Sequence, residues 1–294
     1  MQPKDTFFSR KLTINCKGEL IDLSFPKVMG IVNITPDSFY DGGKYTSAES
    51  LISQIDKMIL EGCDIFDIGA YSSRPGTQGV TEDEELKRLS IALKVIREKF
   101  PKIIISVDTF RSNIARQVVQ DFDVDIINDI SAGEMDKKMF ETIAELRVPY
   151  IMMHMQGTPE NMQENPQYEN IVKSIVMYFS KKIDELSLLG VNDVILDPGF
   201  GFGKTLDHNY QLLKHLDDFK IFELPILAGV SRKSMICKPL EIKPQDALNG
   251  TTVVNTLALM GGANILRVHD VKAALETIKL HAKFDQAKVE NWHD

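Results

Sequence analysis

Polar and charged side chains stand at the end of nearly every short apolar run in this sequence. The runs begin at Val28, Asp64, Ile103, Asp125, Tyr150, Val194, Pro225 and Asn264. They end, in the same order, at Asn33, Asp67, Asp108, Asn128 with Asp129, His154, Asp197, the Ser231-Arg232-Lys233 segment, and Arg267 with His269 and Asp270. A single polar residue at such a position often caps the next helix, but a polar end on each of eight runs predicts a shared site.

The side chains of one group are mainly hydrogen-bond acceptors. Asp108, Asn128 and Asp197 supply carboxylate and amide oxygens, and Lys233 adds one strong donor. This set suits a flat heterocycle with amino and ring N–H donors on one edge, because a carboxylate pairs with such an edge as it does in base recognition. The competing interpretations are a helix cap for Asp108, a turn residue for Asp197, and a divalent cation between the two carboxylates. Neither an HExxH motif nor a His-x-His pair is present, which argues against a zinc hydrolase.

A second group is basic. Arg74 lies in the Gly/Pro/Ser-rich segment GAYSSRPG, and Arg267 and His269 are two residues apart, so both would point to one face of a strand. Barrels often bind phosphate near their seventh and eighth strands, and Arg binds phosphate oxygens in a bidentate manner. In a chain with 34 basic and 42 acidic residues and a net charge of −8, this local group predicts a di- or polyanionic ligand. A solvated loop arginine is the alternative for Arg74.

The apolar runs and the segments between them predict the fold. The runs are rich in Ile, Val and Leu without clean alternation, which is typical of parallel strands covered on both faces. Helical stripes separate them, such as the one that follows the capping box of Thr81 and Glu84. Eight strand-then-helix units predict a single-domain (β/α)₈ TIM barrel at 28–284, with an N-terminal cap, formed as a hairpin, at 1–27 and a tail at 285–294. An open doubly wound sheet is the alternative, although no GxGxxG follows the first run.

Composition excludes several classes of protein. A chain of 294 residues with 43% hydrophobic residues is neither disordered nor a disulfide-stapled mini-protein. Its acidic balance argues against binding to nucleic acid or to an anionic membrane. Three distant cysteines without a CxxC pair predict reduced thiols and a cytoplasmic location. We see no signal-peptide pattern and no apolar stretch of about 18 residues, so we expect no membrane helix.

The segment GFGFGKT at 199–205 resembles a phosphate-binding P-loop, but Pro198 stands where that motif needs a glycine. We interpret it as a mobile Gly-rich loop that places Phe202 over the mouth of the barrel, where the ring stacks on a ligand. No GxSxG elbow is present, and no cysteine has a nucleophile signature.

Eight segments of the chain occur in the order known from one enzyme family. They are VMGIVNITPDSFYDGGKY, DIGAYSSRPG, SVDTF, INDI, MMHMQGTPENM, LDPGFGFGKT, GVSRKSM and LRVHDV, and they extend over residues 28–271. Together they resemble the dihydropteroate synthase family, although single pieces such as SVDTF have little specificity. The resemblance implies a TIM barrel, usually a homodimer, that joins (7,8-dihydropterin-6-yl)methyl diphosphate to 4-aminobenzoate. The products would be 7,8-dihydropteroate and diphosphate, in folate biosynthesis.

The resemblance also implies roles for individual residues. The pterin would be held by Asp108, Asn128, Asp197 and Lys233, with Met153 and Gly229 beside it. The diphosphate would be held by Arg267, His269 and Arg74, with Mg²⁺ on Asn33. Ser73 stands where the family usually has Thr, and the aminobenzoate would be bordered by Phe202, Pro75 and Ser234. Lys233, Arg267, His269 and Arg74 would be catalytic.

One departure from the family pattern is visible. The second loop of the family commonly reads GGESTRPG, whereas this chain has Ala70-Tyr71-Ser72-Ser73 before Arg74. The hydroxyl is retained, so the class of enzyme is unaffected. Closure of that loop and sensitivity to sulfonamides, which mimic aminobenzoate, are left open.

The mechanism implied by these residues is a dissociative substitution. The aryl amine is already a neutral nucleophile, so no catalytic Ser or Cys is required. Loss of diphosphate is the difficult step, and Mg²⁺ and the basic side chains would stabilise the charge that develops on it. A pterin-dependent methyltransferase on the same barrel is the first alternative, and a non-catalytic pterin carrier is the second.

Overall fold

A computed structural model describes residues 12–34, 44–71, 80–162 and 164–287, with the backbone alone for 44–47. Within these ranges the strands are β1 (Thr13–Cys16), β2 (Glu19–Asp22), β3 (Lys27–Asn33), β4 (Ile65–Gly69), β5 (Ile104–Asp108), β6 (Ile126–Asp129), β7 (Tyr150–Met153), β8 (Val194–Asp197), β9 (Leu227–Ala228) and β10 (Ile265–Val268). The helices are α1 (Lys44–Leu60), α2 (Glu82–Lys99), α3 (Ser112–Phe122), α4 (Met139–Leu146), α5 (Ile171–Leu188), α6 (Leu206–Lys214), α7 (Ser234–Leu240), α8 (Leu248–Met260) and α9 (Val271–Gln286). Two 3₁₀ helices cover Leu216–Phe222 and Pro244–Asp246.

Strands β3 to β10 form one parallel sheet in the order β8-β7-β6-β5-β4-β3-β10-β9. Its two outer strands approach each other through a parallel bridge between Leu196 and Ile226 and a 2.9 Å hydrogen bond from Leu196 N to Pro225 O. The sheet is therefore a nearly closed barrel, and each of the eight apolar runs contributes one strand. The open doubly wound alternative is wrong, because such a sheet keeps its two edges apart.

The helices cover the outside of the barrel with the apolar stripes seen in the sequence. Helix α2 buries Leu89, Ala92, Leu93 and Ile96, and α5 buries Ile171, Ile175, Phe179 and Leu186. Burial of each Leu or Ile side chain stabilises the fold by roughly 1.5–3 kcal/mol relative to leaving it exposed. Thr81 begins α2 by accepting a 3.3 Å hydrogen bond from Glu84 N on its hydroxyl oxygen, which satisfies a helix N–H that would otherwise lack a partner.

The residues that point into the barrel change in type along each strand, because every second side chain faces inward. Near the strand starts these side chains are apolar and form one cluster: Met29, Ile65, Ile126, Ile151, Ile195, Leu227 and Ile265. Two residues further along, the same strands carry Ile31, Asp67, Asn128, Met153, Asp197, Gly229 and Arg267. An apolar layer thus fills the barrel at one end, and mainly polar groups line it at the other.

The predicted N-terminal hairpin is confirmed. Strands β1 and β2 pair antiparallel, and Ile14 of β1 packs into the apolar layer at the strand starts. The ammonium group of Lys17 lies 2.8 Å from Asp123 Oδ1 and 2.9 Å from Asp125 Oδ1, which ties the hairpin to the barrel. Helix α9 extends to Gln286, past the predicted end of the barrel at 284, and the division into cap, barrel and tail stays a prediction.

None of the helices in the described part of the chain has the length and apolar character required to cross a bilayer.

Candidate active site at the mouth of the barrel

Strand register aligns three predicted site residues in one row. Asn33 is paired with Gly69, Gly69 with Asp108, and Asp108 with Asn128 across β3, β4, β5 and β6. A Cβ atom built on Gly69 would lie 3.9 Å from both Asn33 Oδ1 and Asp108 Oδ2, so the glycine leaves space between these two side chains. The row brings an amide, a carboxylate and a second amide to one side of the mouth.

Asp67, just below this row, is the centre of the site's hydrogen-bond network. Its Oδ1 accepts from Ser106 Oγ at 2.7 Å. Its Oδ2 accepts from Asn128 Nδ2 at 3.1 Å and from Arg267 Nε at 2.7 Å. Because the Asn128 NH₂ group is directed to Asp67, its amide oxygen is left to accept from a ligand.

Arg267 links Asp67 to Asp108. Its second guanidinium nitrogen donates to Asp108 Oδ2 at 3.0 Å, so one cation spans two carboxylates. Burial raises the pKa of Asp108 to about 7, with the nearby Asp67 adding to the rise and Arg267 opposing it. Burial alone would lower the pKa of Arg267, but the two carboxylates outweigh it and raise that pKa. The guanidinium is charged at all ordinary pH values, whereas Asp108 titrates near neutrality.

Asp197 and Lys233 form the opposite side of the mouth. Asp197 Oδ1 accepts a 2.8 Å hydrogen bond from Gly199 N, and burial raises the pKa of its carboxyl against the opposing charge of Lys233. Burial lowers the pKa of Lys233 to about 8, with Asp197 opposing the shift. A Cβ atom built on Gly229 would lie 3.9 Å from Asp197 Oδ2 and from Arg267 Cβ, which places the glycine between the two sides.

The Gly-rich loop at 199–203 packs against the same lysine. The Lys233 ammonium group donates to the Phe200 carbonyl oxygen and lies 4.6 Å from the centroid of the Phe202 ring. The mobility of this loop stays a prediction, and hydrogen bonds to other parts of the chain hold the loop in the conformation described. Gly201 N donates to Asn209 Oδ1 at 2.6 Å, and Tyr168 Oη donates to Gly203 O at 2.9 Å.

An apolar wall completes the mouth. Its members are Phe110, Ile130, Met153, Met155 and Met162, with Tyr71 and Phe202 packed against them. The Tyr71 and Phe110 rings meet edge to face with centroids 5.2 Å apart. A planar aromatic ligand fits beside such a wall, because it buries its faces on the sulfur and ring atoms while its edge meets the polar groups.

The segment after β9 connects to the end of β10. Ser231 Oγ lies 3.1 Å from His269 Nδ1, and His269 itself is exposed. Arg232 has φ +56 and forms a bidentate pair with Asp270, at 2.9 Å from Nε and 2.6 Å from the terminal nitrogen. Lys233 follows Arg232 and His269 precedes Asp270. The Arg232–Asp270 pair therefore holds Lys233 and His269 at the rim of the barrel.

The structure brings most of the predicted residues to one place. Those at the mouth are Asn33, Asp108, Asn128, Met153, Asp197, Phe202, Gly229, Lys233, Arg267 and His269. Ser234 is exposed at the start of α7, directly after Lys233, and Ser73, Arg74 and Pro75 lie outside the described residues. The sequence predicts that Arg267 binds phosphate, and in the structure its guanidinium group also pairs with the carboxylates of Asp67 and Asp108. The sequence analysis includes Asp67 among the polar run ends without a specific role, and it does not single out Ser106 or Ile130. A period of two along β4 and β5, with Ile65 followed by Asp67 and Ile104 by Ser106, is the signal that identifies Asp67 and Ser106.

The chemistry of the rim residues bears on the binding of Mg²⁺. Within the described part of the chain, no group of three His, Cys, Asp or Glu side chains could hold a metal ion. Asn33 offers one exposed amide oxygen at the end of β3. Mg²⁺ commonly keeps several waters and takes its other ligands from one or two side chains and from substrate phosphates, so a single amide oxygen fits that mode of binding.

Comparison with known proteins agrees with this geometry. Residues 29–269 match the family model described as "Pterin binding enzyme". The chain is 41% identical over 266 residues to the dihydropteroate synthase of Escherichia coli strain K12, covering 90% of this chain and 93% of that protein. It superposes with a TM-score of 0.86 at 39% identity on the Yersinia pestis dihydropteroate synthase in a sulfonamide drug complex, covering 94% and 100% of the two chains. The Xanthomonas albilineans dihydropteroate synthase with 4-aminobenzoic acid gives 0.85 at 34% identity, covering 94% and 99%.

The barrel, the polar groups at its mouth and these relatives together identify the class of enzyme. The chain belongs to the pterin-binding enzyme family, within the group of the dihydropteroate synthases.

Proposed function

We propose that this protein catalyses the dihydropteroate synthase reaction. It transfers the (7,8-dihydropterin-6-yl)methyl group from diphosphate to the amino group of 4-aminobenzoate and releases diphosphate, a step of folate biosynthesis. The observation that carries the proposal is the continuous network in which Asp67 binds both Asn128 and Arg267. That network joins an acceptor site for a heterocycle to a cation, as a substrate made of a pterin and a diphosphate requires.

The pterin is held by its edge. Asp108, Asn128 and Asp197 accept hydrogen bonds from its amino and ring N–H groups. Met153 packs against its face and Gly229 leaves room for it, since both belong to the lining of the mouth. Burial of these carboxylates strengthens each hydrogen bond, because little water competes for the acceptor oxygens.

The diphosphate departs toward the basic side chains. The C–O bond to the methylene carbon breaks and diphosphate leaves with the electron pair, while the electron-rich ring shares the positive charge left on the carbon. Arg267, His269 and Lys233 stabilise the developing negative charge, together with Arg74. Asn33 would hold Mg²⁺, which when bound supplies further positive charge at the diphosphate. The aminobenzoate nitrogen then forms the new C–N bond and releases one proton to solvent.

The aminobenzoate ring lies against Phe202, with Ser234 and Pro75 at its borders. Phe202 suits this role because it is partly buried and stands beside Lys233 in the apolar wall. Holding the nitrogen in line with the methylene carbon accelerates the reaction without any covalent enzyme intermediate.

The test is release of diphosphate from the dihydropterin methyl diphosphate in the presence of Mg²⁺. We expect release to require 4-aminobenzoate and to yield one dihydropteroate per diphosphate. Binding of the pterin without release under any condition would identify a carrier. Transfer of a methyl group from a methylated folate to a corrinoid protein would identify a methyltransferase. Either result would refute the proposal.

We also propose that the protein is a homodimer. Support comes from an apolar stripe on α8, where Val253, Leu257 and Met260 are exposed at helical spacing within the described part of the chain. The neighbouring helix α9 exposes Leu280 and Phe284. Large exposed apolar side chains on adjacent helices favour contact with a second copy, because a symmetric pair buries the same face twice.

A cytoplasmic location is a further proposal. Cys16, Cys63 and Cys237 are all unpaired thiols. Such thiols suit a reducing compartment.

A further inference from the structure

Lys204 is a buried cation to which the reaction outlined above gives no role. It follows the Gly-rich loop at 199–203, and only 4% of its surface is exposed. Lys182, another buried lysine, is held by Glu134 at 2.5 Å. Among the residues that the structure describes, no carboxylate lies within ion-pair distance of Lys204. A buried ammonium group without such a partner is costly unless neutral acceptors satisfy all of its protons.

Three acceptors surround the Lys204 ammonium group. Nζ lies 2.8 Å from Phe202 O, 3.2 Å from His154 O and 3.1 Å from His154 Nδ1. Burial lowers the pKa of Lys204, and the charge of Asp197 opposes that shift. The three acceptors favour the charged form, because an ammonium group has three protons and this arrangement uses each of them once. Nδ1 of His154 then accepts, which puts the ring proton on Nε2. Burial lowers the pKa of His154, and the adjacent Lys204 lowers it further, so the ring is neutral as this arrangement requires.

The bonds of Lys204 join two segments that follow different strands. His154 comes directly after β7, and Phe202 belongs to the loop after β8. The two segments also pack closely, because a Cβ atom on Gly199 would lie 2.0 Å from His154 O and one on Gly203 would lie 2.6 Å from Gln156 O. Lys204 therefore adds three hydrogen bonds to a close contact between the two segments, which Tyr168 Oη also joins by donating to Gly203 O.

We propose that Lys204 is a positioning residue of the arylamine site: it fastens the backbone of Phe202 to the end of β7 and so fixes the ring on which the aminobenzoate lies. This inference rests on the proposed function. Phe202 in turn stands 4.6 Å from the Lys233 ammonium group, so a shift of its backbone would disturb the contact between ring and cation. The pterin acceptors Asp108, Asn128 and Asp197 share no hydrogen bond with Lys204 among the described contacts. The charge of Lys204 acts on Asp197 only by opposing the rise in the pKa of its carboxyl.

The experiment compares Lys204→Met with Lys181→Met in the full-length protein. Methionine keeps the length and removes the three bonds, while Lys181 is an exposed residue of α5 and serves as the matched control. We expect Lys204→Met to raise KM for 4-aminobenzoate about tenfold or more, since bonds to a charged group are lost. KM for the dihydropterin diphosphate should stay within about twofold, and Lys181→Met should match the wild type.

Equal changes in both KM values, or no change in either, would overturn the proposal and leave Lys204 with a purely structural role. If Lys204→Met does not fold, Lys204→Arg replaces it, because a planar guanidinium cannot reach acceptors that converge on one nitrogen. The same selective rise in KM for 4-aminobenzoate is then expected, and unchanged values would overturn the proposal.

Hydrogen exchange separates this inference from the proposed function. If the wild type releases no diphosphate, the reaction is refuted, but the tie can still be tested on the amides of Gly201 and Phe202. We expect these amides to exchange faster in the Lys204 variant than in the wild type, with α6 unchanged. Equal exchange in the two proteins would refute the tie itself.

Discussion

Asp67 is fully buried and accepts three hydrogen bonds, and this determines what its replacement would do. Asparagine offers one acceptor oxygen and presents an NH₂ group where donors already point. Asp67→Asn should therefore lower kcat/KM about 100-fold, because Asn128 and Arg267 lose their common partner. Diphosphate release measures the effect. Asp184→Asn, at an exposed carboxylate of α5, is the control and should leave kcat/KM unchanged. Wild-type kinetics in the Asp67 variant would contradict the role of Asp67 as the centre of the network.

Titration of Asp108 makes pterin binding dependent on pH. Burial raises the pKa of its carboxyl from 3.8 to about 7, so the acceptor form prevails only above neutrality. Affinity for a hydroxymethyl pterin, which has no phosphate to titrate, should fall about tenfold per pH unit below 7. Lys233, whose pKa is lowered to about 8, loses its charge on the alkaline side.

Calorimetry across pH 6 to 9 measures this dependence. Asp108→Asn, which cannot titrate, is the comparison and should abolish the acidic fall in affinity. A fall that persists unchanged in this variant would assign the titration to another group.

The loop after β8 depends on a glycine that another residue cannot replace. Gly199 has φ +73, and a Cβ atom there would lie 2.0 Å from His154 O. Gly190, after α5, has φ +78 but open space around it. Gly190→Ala should cost about 1 kcal/mol of unfolding free energy from backbone conformation alone. Gly199→Ala should cost about 3 kcal/mol or more, because the backbone must also move apart.

Denaturant unfolding compares the two glycine variants, and diphosphate release reports on the site. Gly199→Ala should also lose activity, since its loop holds Phe202. Equal unfolding free energies for the two variants would show that the loop adapts, and would count against a rigid aromatic wall.

Strand ends were predictable because the barrel leaves little choice. Runs such as VILDPG and IIISVD end in a polar residue, and parallel strands bring such ends to one rim. The inward direction of Asp67 is not evident from the sequence, because polar and apolar residues do not alternate cleanly in the runs. In the strands themselves, inward-facing and outward-facing side chains do alternate. The ties on the Gly-rich loop depend on side chains far along the chain, such as Tyr168, which local sequence does not connect to Gly203. The position of polar residues at the ends of the apolar runs therefore locates the site, whereas contacts between distant parts of the chain determine how firmly its loop is held.

At the scale of the whole molecule, the exposed stripe on α8 makes a prediction about assembly. Val253→Glu places a charge in a face that a second copy would cover. Burying that charge without an opposite charge beside it should destabilise the dimer by on the order of 3–5 kcal/mol. We expect this variant to sediment as a monomer and the wild type as a dimer. Met177→Glu, at an exposed apolar position of α5, should remain dimeric. A dimer that persists in the Val253 variant would place the interface elsewhere.

The apolar layer at the strand starts has a consequence for the kinetics of the enzyme. Met29, Ile65 and their neighbours fill the barrel there, and Ile14 of the hairpin seals them from below. Within the described part of the chain these side chains fill the barrel at the strand starts, so we expect both reactants to enter, and both products to leave, at the end that carries Asp67 and Arg267. Dihydropteroate that remains bound there blocks the next pterin, so we expect it to inhibit competitively against the pterin diphosphate.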